Sequence, residues 1–380
     1  GPRLPDAGIW RDIALVGVEK ARIQQVKVRQ RHEGGQVALA VTTELERLAD
    51  ADYCIEVALA APDGEILSAT GEACEIIVKN PALWWPLGKG DHPLYTLNIK
   101  VYDDDILSDC TSTTFGIREV VATRDTPDES KLFVVNGKPI FVRGSNWIPE
   151  AMLKDSDKRM AAVLRMSAQC GFNLLRLWGG GIVESDYFHQ LCDEYGFMVW
   201  EEFFMTGDTR HPHDVATYFA NVESSVKRVR NHPCVVFYVA SNESTEVSGT
   251  RELIEKLDGT RPWQQQSECD GIHDGSPYKQ VNPMRHYTNT ASDRGSRVDG
   301  FNPEYGAPTL PVIESLRKMM PEDKLWPIDK PTWNYLDGNG FHLMTTLYDE
   351  MVRRYGEPSG IDDYARKGQL VGAMNAKSIW

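Results

Sequence analysis

The chain has 380 residues, 41% of them hydrophobic, with a formal net charge of −14 and a pI near 5.2. That length suits two or three domains with a large core, and the acidic balance argues against nucleic acid or an anionic membrane as partner, because both are bound through basic patches. No apolar run reaches the length a membrane-spanning helix needs.

Residues 1 to about 15, ending in Gly8-Ile9-Trp10-Arg11-Asp12-Ile13-Ala14-Leu15, read as the strand-like tail of an upstream domain. The chain opens at Gly1-Pro2 rather than Met, so its start reads as an interior or processed position. The compartment stays open, a bacterial periplasmic or secreted one included. From Ala21 to about Gly116 the pattern is all-β. Val37–Val41, Tyr53–Leu59 and Leu94–Val101 read as strands, with Gly34-Gly35 and Pro62-Asp63-Gly64 as turns. This stretch predicts a β-sandwich. After Phe115-Gly116-Ile117-Arg118 strands alternate with helices. Pro139 to Arg143 precedes a helix at 157–170, Asn173 to Trp178 one at 185–195, Phe197 to Phe203 one at 214–230, and Val235 to Ser241 one at 249–257. Such alternation means a parallel sheet, either a barrel or a doubly wound sheet, and about seven strands are counted up to Glu304. A largely helical tail follows from His342 to Trp380.

Two acids stand out. His232 to Glu243 is an apolar strand that stops at Asn242-Glu243, and Gly300-Phe301-Asn302-Pro303-Glu304-Tyr305-Gly306 reads as a short strand with its one acid near the end. Acids at the C-terminal ends of parallel barrel strands are where a (β/α)8 enzyme keeps its chemistry, and two facing carboxyls are the minimum for cutting a glycosidic bond. A single Asn-Glu after a strand is more often a turn. Ten Trp and fourteen Tyr supply flat faces suited to sugar rings, although most aromatics in any chain are core. Seven cysteines form no CxxC pair, which argues against a zinc or redox motif. Their settings predict buried thiols. Gly179-Gly180-Gly181 lacks the spacing of a phosphate loop, and close backbone approach is enough to explain it.

Other strand ends carry Gly144-Ser145-Asn146-Trp147-Ile148-Pro149-Glu150, Arg176-Leu177-Trp178-Gly179-Gly180-Gly181 and Trp200-Glu201-Glu202-Phe203. With these motifs, and with Leu83-Trp84-Trp85-Pro86-Leu87-Gly88 and Asp193-Glu194-Tyr195-Gly196, the sequence resembles glycoside hydrolase family 2. The likeness is to the branch holding β-mannosidases, mannosylglycoprotein endo-β-mannosidases and exo-β-glucosaminidases. It covers nearly the whole chain. It implies the tail of a jelly-roll sugar-binding domain at 1–15, an immunoglobulin-like β-sandwich at 16–117, with Asn80 to Tyr95 among its late strands, and a (β/α)8 TIM barrel at 118–380. The Trp-rich eighth strand of the family is not found before Trp380, so an incomplete barrel and a fragment of a longer protein are expected. The unpaired first strand, near Pro139 to Arg143, would then be an open edge.

Residue by residue, the resemblance makes Glu304 the nucleophile and Glu243 the acid/base. Arg176 would hold the nucleophile ionised, and Asn242 would donate to the sugar 2-hydroxyl. Trp147 and Trp178 would line the sugar subsite, and Glu202, or its neighbour Glu201, would bind sugar hydroxyls. Tyr287 would hydrogen-bond the nucleophile. No metal or organic cofactor is implied. The expected activity is a retaining β-mannosidase acting on an oligosaccharide or glycoside. The alternatives are an exo-β-D-glucosaminidase and a carbohydrate-binding protein without turnover. Oligomeric state is left open.

Overall fold

The computed structural model describes residues 8–9, 12–149, 156–207, 211–273, 280–288, 300–304, 306–336 and 343–379. The chain divides into two compact units. The larger holds Gly8–Thr126 and Lys131–Ser267, the smaller Pro127–Ser130 and Glu268–Trp380 together with Gly1–Ala7.

The larger unit opens with the sandwich. Its strands are β1 (Ala21–Glu33), β2 (Gln36–Arg47), β3 (Tyr53–Ala60), β4 (Ile66–Thr70), β5 (Ala73–Lys79), β6 (Tyr95–Asp103) and β7 (Ile106–Phe115). One sheet has the order β1-β2-β5, the other β4-β3-β6-β7, and every pairing is antiparallel. Alternation sets the register. Ile55, Val57 and Leu59 of β3 and Tyr95, Leu97, Ile99 and Val101 of β6 point inward to one core with Val37, Leu39 and Val41 of β2. Outward positions of the same strands carry Cys54 and, on β7, Cys110. Both are exposed, as is Cys170, so buried thiols are found only in part, at Cys192 and Cys234.

The Asn80 to Tyr95 segment is a correction. Apart from one bridge at Leu83 and Tyr95 itself, it is a connection between β5 and β6, not late sandwich strands. Trp84 leaves the sandwich and is fully buried in the barrel core, where its Nε1 donates to the Asp193 carbonyl at 2.9 Å. The Trp-Trp motif is thus a seam between sandwich and barrel.

A small antiparallel sheet follows, of β8 (Val120–Thr123), β9 (Leu132–Val135) and β10 (Lys138–Ile140). Next come β11 (Gly144–Trp147), α1 (Asp157–Gln169), β12 (Leu174–Leu177), α2 (Asp186–Tyr195), β13 (Met198–Glu202), α3 (Val215–Val229), β14 (Val235–Val239), α4 (Thr250–Leu257) and β15 (Trp263–Gln264). Strands β11 to β15 form a parallel sheet in chain order, as successive βα units of a barrel do. All residues of β12, β13 and β14 are buried, because helices cover one face and the barrel interior the other. Local signals fix the helices. Ser156, Ser185 and Asp214 cap α1, α2 and α3 through their side-chain oxygens, and Gly196 ends α2 at φ 76°, where a Cβ would strike the His92 ring at 2.2 Å.

Three strand expectations fail. Pro139 and Ile140 belong to an antiparallel hairpin with β9, so the first parallel strand starts at Gly144 rather than Pro139. An apolar pair beside Gly137 suits a hairpin arm as well as a barrel strand. Among the described residues the parallel sheet has five strands, not seven. Gly300 to Glu304 is not a strand: Asn302 Oδ1 accepts from the Glu304 N–H at 3.1 Å, an Asx turn that competes with strand pairing. Tyr305 lies outside the described residues.

The smaller unit is helical where described: α5 (Pro283–Tyr287), α6 (Ile313–Met319), α7 (Glu322–Leu325), α8 (Lys330–Leu336), α9 (Leu343–Tyr355) and α10 (Ile361–Ile379). Its core joins Leu316, Leu325, Trp333, Leu347, Met351 and Tyr364, with Trp333 edge-on to Tyr364 at 5.5 Å.

Candidate active site

The larger unit gathers its polar side chains at the C-terminal ends of β11 to β14. Strand β12 delivers Arg176, which lies beside Glu202 of β13 in the barrel interior. Arg176 Nε donates to Glu202 Oε1 at 2.7 Å and Nη2 to Oε2 at 3.3 Å. Nη2 also donates to Asn242 Oδ1. The Arg176 guanidinium sits 5.1 Å from the centre of the Trp200 ring, a cation–π contact that helps offset its burial. Glu202 Oε2 also accepts from the Gly179 N–H at 2.7 Å. The glycine run is explained here. A Cβ on Gly179 would stand 2.6 Å from the Met205 carbonyl, and one on Gly180 would enter the Trp178 ring at 2.1 Å.

Strand pleating separates the two neighbouring acids. Glu202 and Trp200 face Arg176, and Glu201 points to the other side, where its Oε2 lies 3.3 Å from His189 Nε2 of α2. His189 Nδ1 is 3.0 Å from the Ser185 carbonyl. A carbonyl only accepts, so Nδ1 carries a proton, and in the neutral ring Nε2 then accepts from Glu201. Glu201 is therefore the neutral acid. Burial agrees: it raises the Glu201 carboxyl well above the usual carboxylate range, and with His232 it pushes His189 down to about 3.

This pair makes stability depend on pH. Glu201 has a folded pKa above its unfolded value, so its contribution is full below about 4.5 and is lost as pH rises towards the folded pKa, at up to about 1.4 kcal/mol per pH unit. Glu201→Gln keeps a donor to His189 Nε2 but carries no titrating proton. Its urea-unfolding free energy should fall less steeply with rising pH than that of the parent above about pH 5. Parallel curves for the two proteins would show that Glu201 is ionised in the fold.

Strand β14 ends at Ser241-Asn242-Glu243. The Asn242 N–H donates to the Met205 carbonyl at 2.9 Å, and the Glu243 N–H to Ser267 Oγ at 3.0 Å. Glu243 has φ 49° and an exposed side chain. A non-glycine residue in the left-handed region at a strand end is strained, and such strain concentrates at functional sites. Trp147 Nε1 donates to Glu184 Oε1 at 3.0 Å, and the Trp147 ring packs 4.9 Å from Phe188, against the barrel core. Trp178 is half-buried, with its N–H on the Trp147 carbonyl at 3.3 Å.

The structure therefore brings together Arg176, Glu202 and Asn242, with Glu243 next in chain and Trp147 beside Trp178. Glu304 lies in the smaller unit, half-buried after its Asx turn. Tyr287 is on α5 in that unit and is 63% exposed. Ser267, Met205 and Gly179 hold the site's backbone and were not singled out from the sequence. Their hydrogen bonds reach residues 23 to 37 positions away in chain, which no local pattern announces.

A family profile described as "Glycosyl hydrolases family 2" matches residues 21–118, and one described as "Glycosyl hydrolases family 2, TIM barrel domain" matches residues 128–314. The chain belongs to glycosyl hydrolases family 2. The family 2 chain is 29% identical over 364 residues to a mannosylglycoprotein endo-beta-mannosidase of Lilium longiflorum, covering 79% of this chain and 37% of that protein. It is 27% identical to an exo-beta-D-glucosaminidase of Streptomyces avermitilis, covering 93% and 41%. It thus spans about two fifths of the length of these curated relatives. The crystal structure of the beta-D-mannosidase from Dictyoglomus thermophilum superposes with a TM-score of 0.81 at 22% identity, over 98% of this chain and 50% of that one. The expected fold, a sandwich followed by a partial TIM barrel, stands.

Proposed function

We propose that the full-length protein hydrolyses β-linked mannosides with retention of configuration, with Glu304 as nucleophile and Glu243 as acid/base. The observation that carries this reading is the end of β14: a strained, exposed Glu243 directly after an Asn242 that is tied to the Arg176–Glu202 pair. Because Asn242 Oδ1 accepts from Arg176, its amide NH2 is turned away to donate, which suits a sugar 2-hydroxyl. Glu202, anchored by Arg176 and the Gly179 N–H and without side-chain exposure, would hold Arg176 against Asn242. Trp178 and Trp147 would form the wall of the subsite, and Arg176 and Tyr287 would approach Glu304. A retaining site needs its two carboxyls about 5–5.5 Å apart, one attacking the anomeric carbon and one protonating the leaving oxygen.

Relatives named beta-mannosidase support a mannoside substrate. So does Glu, rather than the Asp frequent in exo-β-glucosaminidases, at position 243. The glucosaminidase reading is kept because a relative of that name covers 93% of the chain. Turnover of a panel of 4-nitrophenyl β-glycosides by the full-length protein decides. The mannoside should exceed the glucosaminide by at least about tenfold in kcat/KM, and the first product by NMR should be the β-anomer. Preference for the glucosaminide would replace the substrate. An α-anomer would remove the retaining mechanism, and binding without turnover would make the protein a lectin.

A further inference from the structure

The chain is bare at position 207, directly beside Glu243. Gly207 lies in the loop that follows β13. A Cβ built on it would stand 3.5 Å from the Glu243 carbonyl oxygen, 3.7 Å from Glu243 Cβ and 3.8 Å from Glu243 Oε2, the three nearest atoms among the described residues. Both residues are exposed, so the gap over Glu243 opens to water. The loop is tied to the end of β14. The Phe203 N–H donates to the Val239 carbonyl at 3.3 Å, and the Asn242 N–H to the Met205 carbonyl at 2.9 Å. Met205, two residues before Gly207, is 1% exposed, which fixes where the loop leaves the core.

Neither the backbone nor the packing asks for glycine at this position. Gly144 and Gly179 are held to glycine by their neighbours, since a Cβ there would press on the Leu174 carbonyl at 2.3 Å and on the Met205 carbonyl at 2.6 Å. At Gly207 the same atom meets ordinary van der Waals contacts. Its φ also lies outside the left-handed region that favours glycine. A glycine whose conformation other residues can adopt loses more chain entropy on folding than they would. What the missing side chain provides is space, and that space adjoins a carboxyl oxygen of Glu243.

With Glu243 as acid/base, the reading on which this inference rests, the chemistry says what fills the space. The leaving oxygen must come within about 2.6–3.2 Å of a Glu243 carboxyl oxygen to take its proton. The group attached to that oxygen then lies within reach of any side chain carried at position 207. We propose that Gly207 is a specificity-determining position on the leaving-group side, kept bare to admit a bulky aglycone, a sugar ring or larger. The substrates are then β-linked oligosaccharides rather than glycosides of small alcohols, which need no such room.

The test uses the full-length protein and the sugar series in which it is most active. Two substrates are compared, the β-linked disaccharide and the β-glycosyl fluoride of the same sugar, whose leaving group is a single atom. Gly207→Leu should lower the ratio of kcat/KM for the disaccharide to that for the fluoride by at least about tenfold, because the new side chain displaces the aglycone and not the fluoride. Gly207→Ala, whose Cβ has only ordinary contacts, should shift the ratio less and in the same direction. Gly207→Leu should also lose transfer of the glycosyl group from the fluoride to an added acceptor sugar, since the acceptor takes the aglycone's place. An unchanged ratio in Gly207→Leu, or equal loss on both substrates, would overturn the specificity role while leaving the Glu243 assignment intact. Failure of that assignment reads differently: Glu243→Gln would hydrolyse the disaccharide at the parent rate, and the role of position 207 would fall with it.

Discussion

Glu304→Gln in the full-length protein is expected to lower kcat/KM by about 10⁴-fold or more on every glycoside, whatever its leaving group. The amide is isosteric but cannot attack the anomeric carbon, so the first covalent step is lost regardless of how easily the aglycone departs. Glu243→Gln should behave differently. General acid catalysis is worth about 10²–10⁴-fold, and it is needed only where the leaving oxygen must be protonated. A 2,4-dinitrophenyl β-mannoside should therefore form the glycosyl-enzyme at near the parent rate, whereas an unactivated oligosaccharide loses the full factor. Deglycosylation in this variant lacks its base, so the intermediate should accumulate, and added azide, which needs no base, should release it as the β-glycosyl azide. A variant that lost activated and unactivated substrates equally, with no azide effect, would remove Glu243 from the acid/base role. Residual full activity in Glu304→Gln would remove the nucleophile assignment.

Where side-chain period and cap chemistry agreed, the architecture was legible in the sequence. The four helices between residues 157 and 257 lie within a residue or two of their expected positions, because Ser156, Ser185 and Asp214 announce their starts and Gly196 ends one of them. Strand β14 was legible as an unbroken apolar run of strand length, and β12 and β13 as apolar runs carrying Arg176 and ending in Glu201-Glu202. The failures have physical causes. Pro139 and Ile140 fit a hairpin arm as well as a barrel strand, and only pairing with β9, a tertiary fact, separates the two. Asn302 and Pro303 turn the chain where apolar Phe301 suggested a strand. The Trp84 motif sits between sandwich strands in sequence, and nothing local reveals that its ring is buried in the next domain. At the site, the ambiguity between Glu201 and Glu202 could not be resolved by composition, because adjacent acids on a strand buried on both faces differ only in which face each takes. The structure gives Glu202 to Arg176 and Glu201 to His189.

Arg176→Met should be the most destabilising single change at the site. Arg176 and Glu202 have almost no side-chain exposure, so removing the cation strands the Glu202 carboxylate in the barrel with the Gly179 N–H still donating to it. Breaking one partner of a buried pair costs about 3–5 kcal/mol, and the lost contact with the Trp200 ring adds about 1 kcal/mol. Arg176→Met with Glu202→Leu leaves no buried charge, and apolar replacement of a whole buried pair is often near neutral. The double variant should thus regain most of the stability lost by the single one, with a coupling energy of at least about 2 kcal/mol in a urea-unfolding cycle. Activity separates structure from function. If the pair only supports the barrel, the restabilised double variant turns over substrate like the parent. If Arg176 orients Asn242 for the sugar, the double variant folds but stays far below the parent in kcat/KM. The second outcome is expected, because in that variant the Asn242 amide has lost the donor that fixes which end faces the sugar.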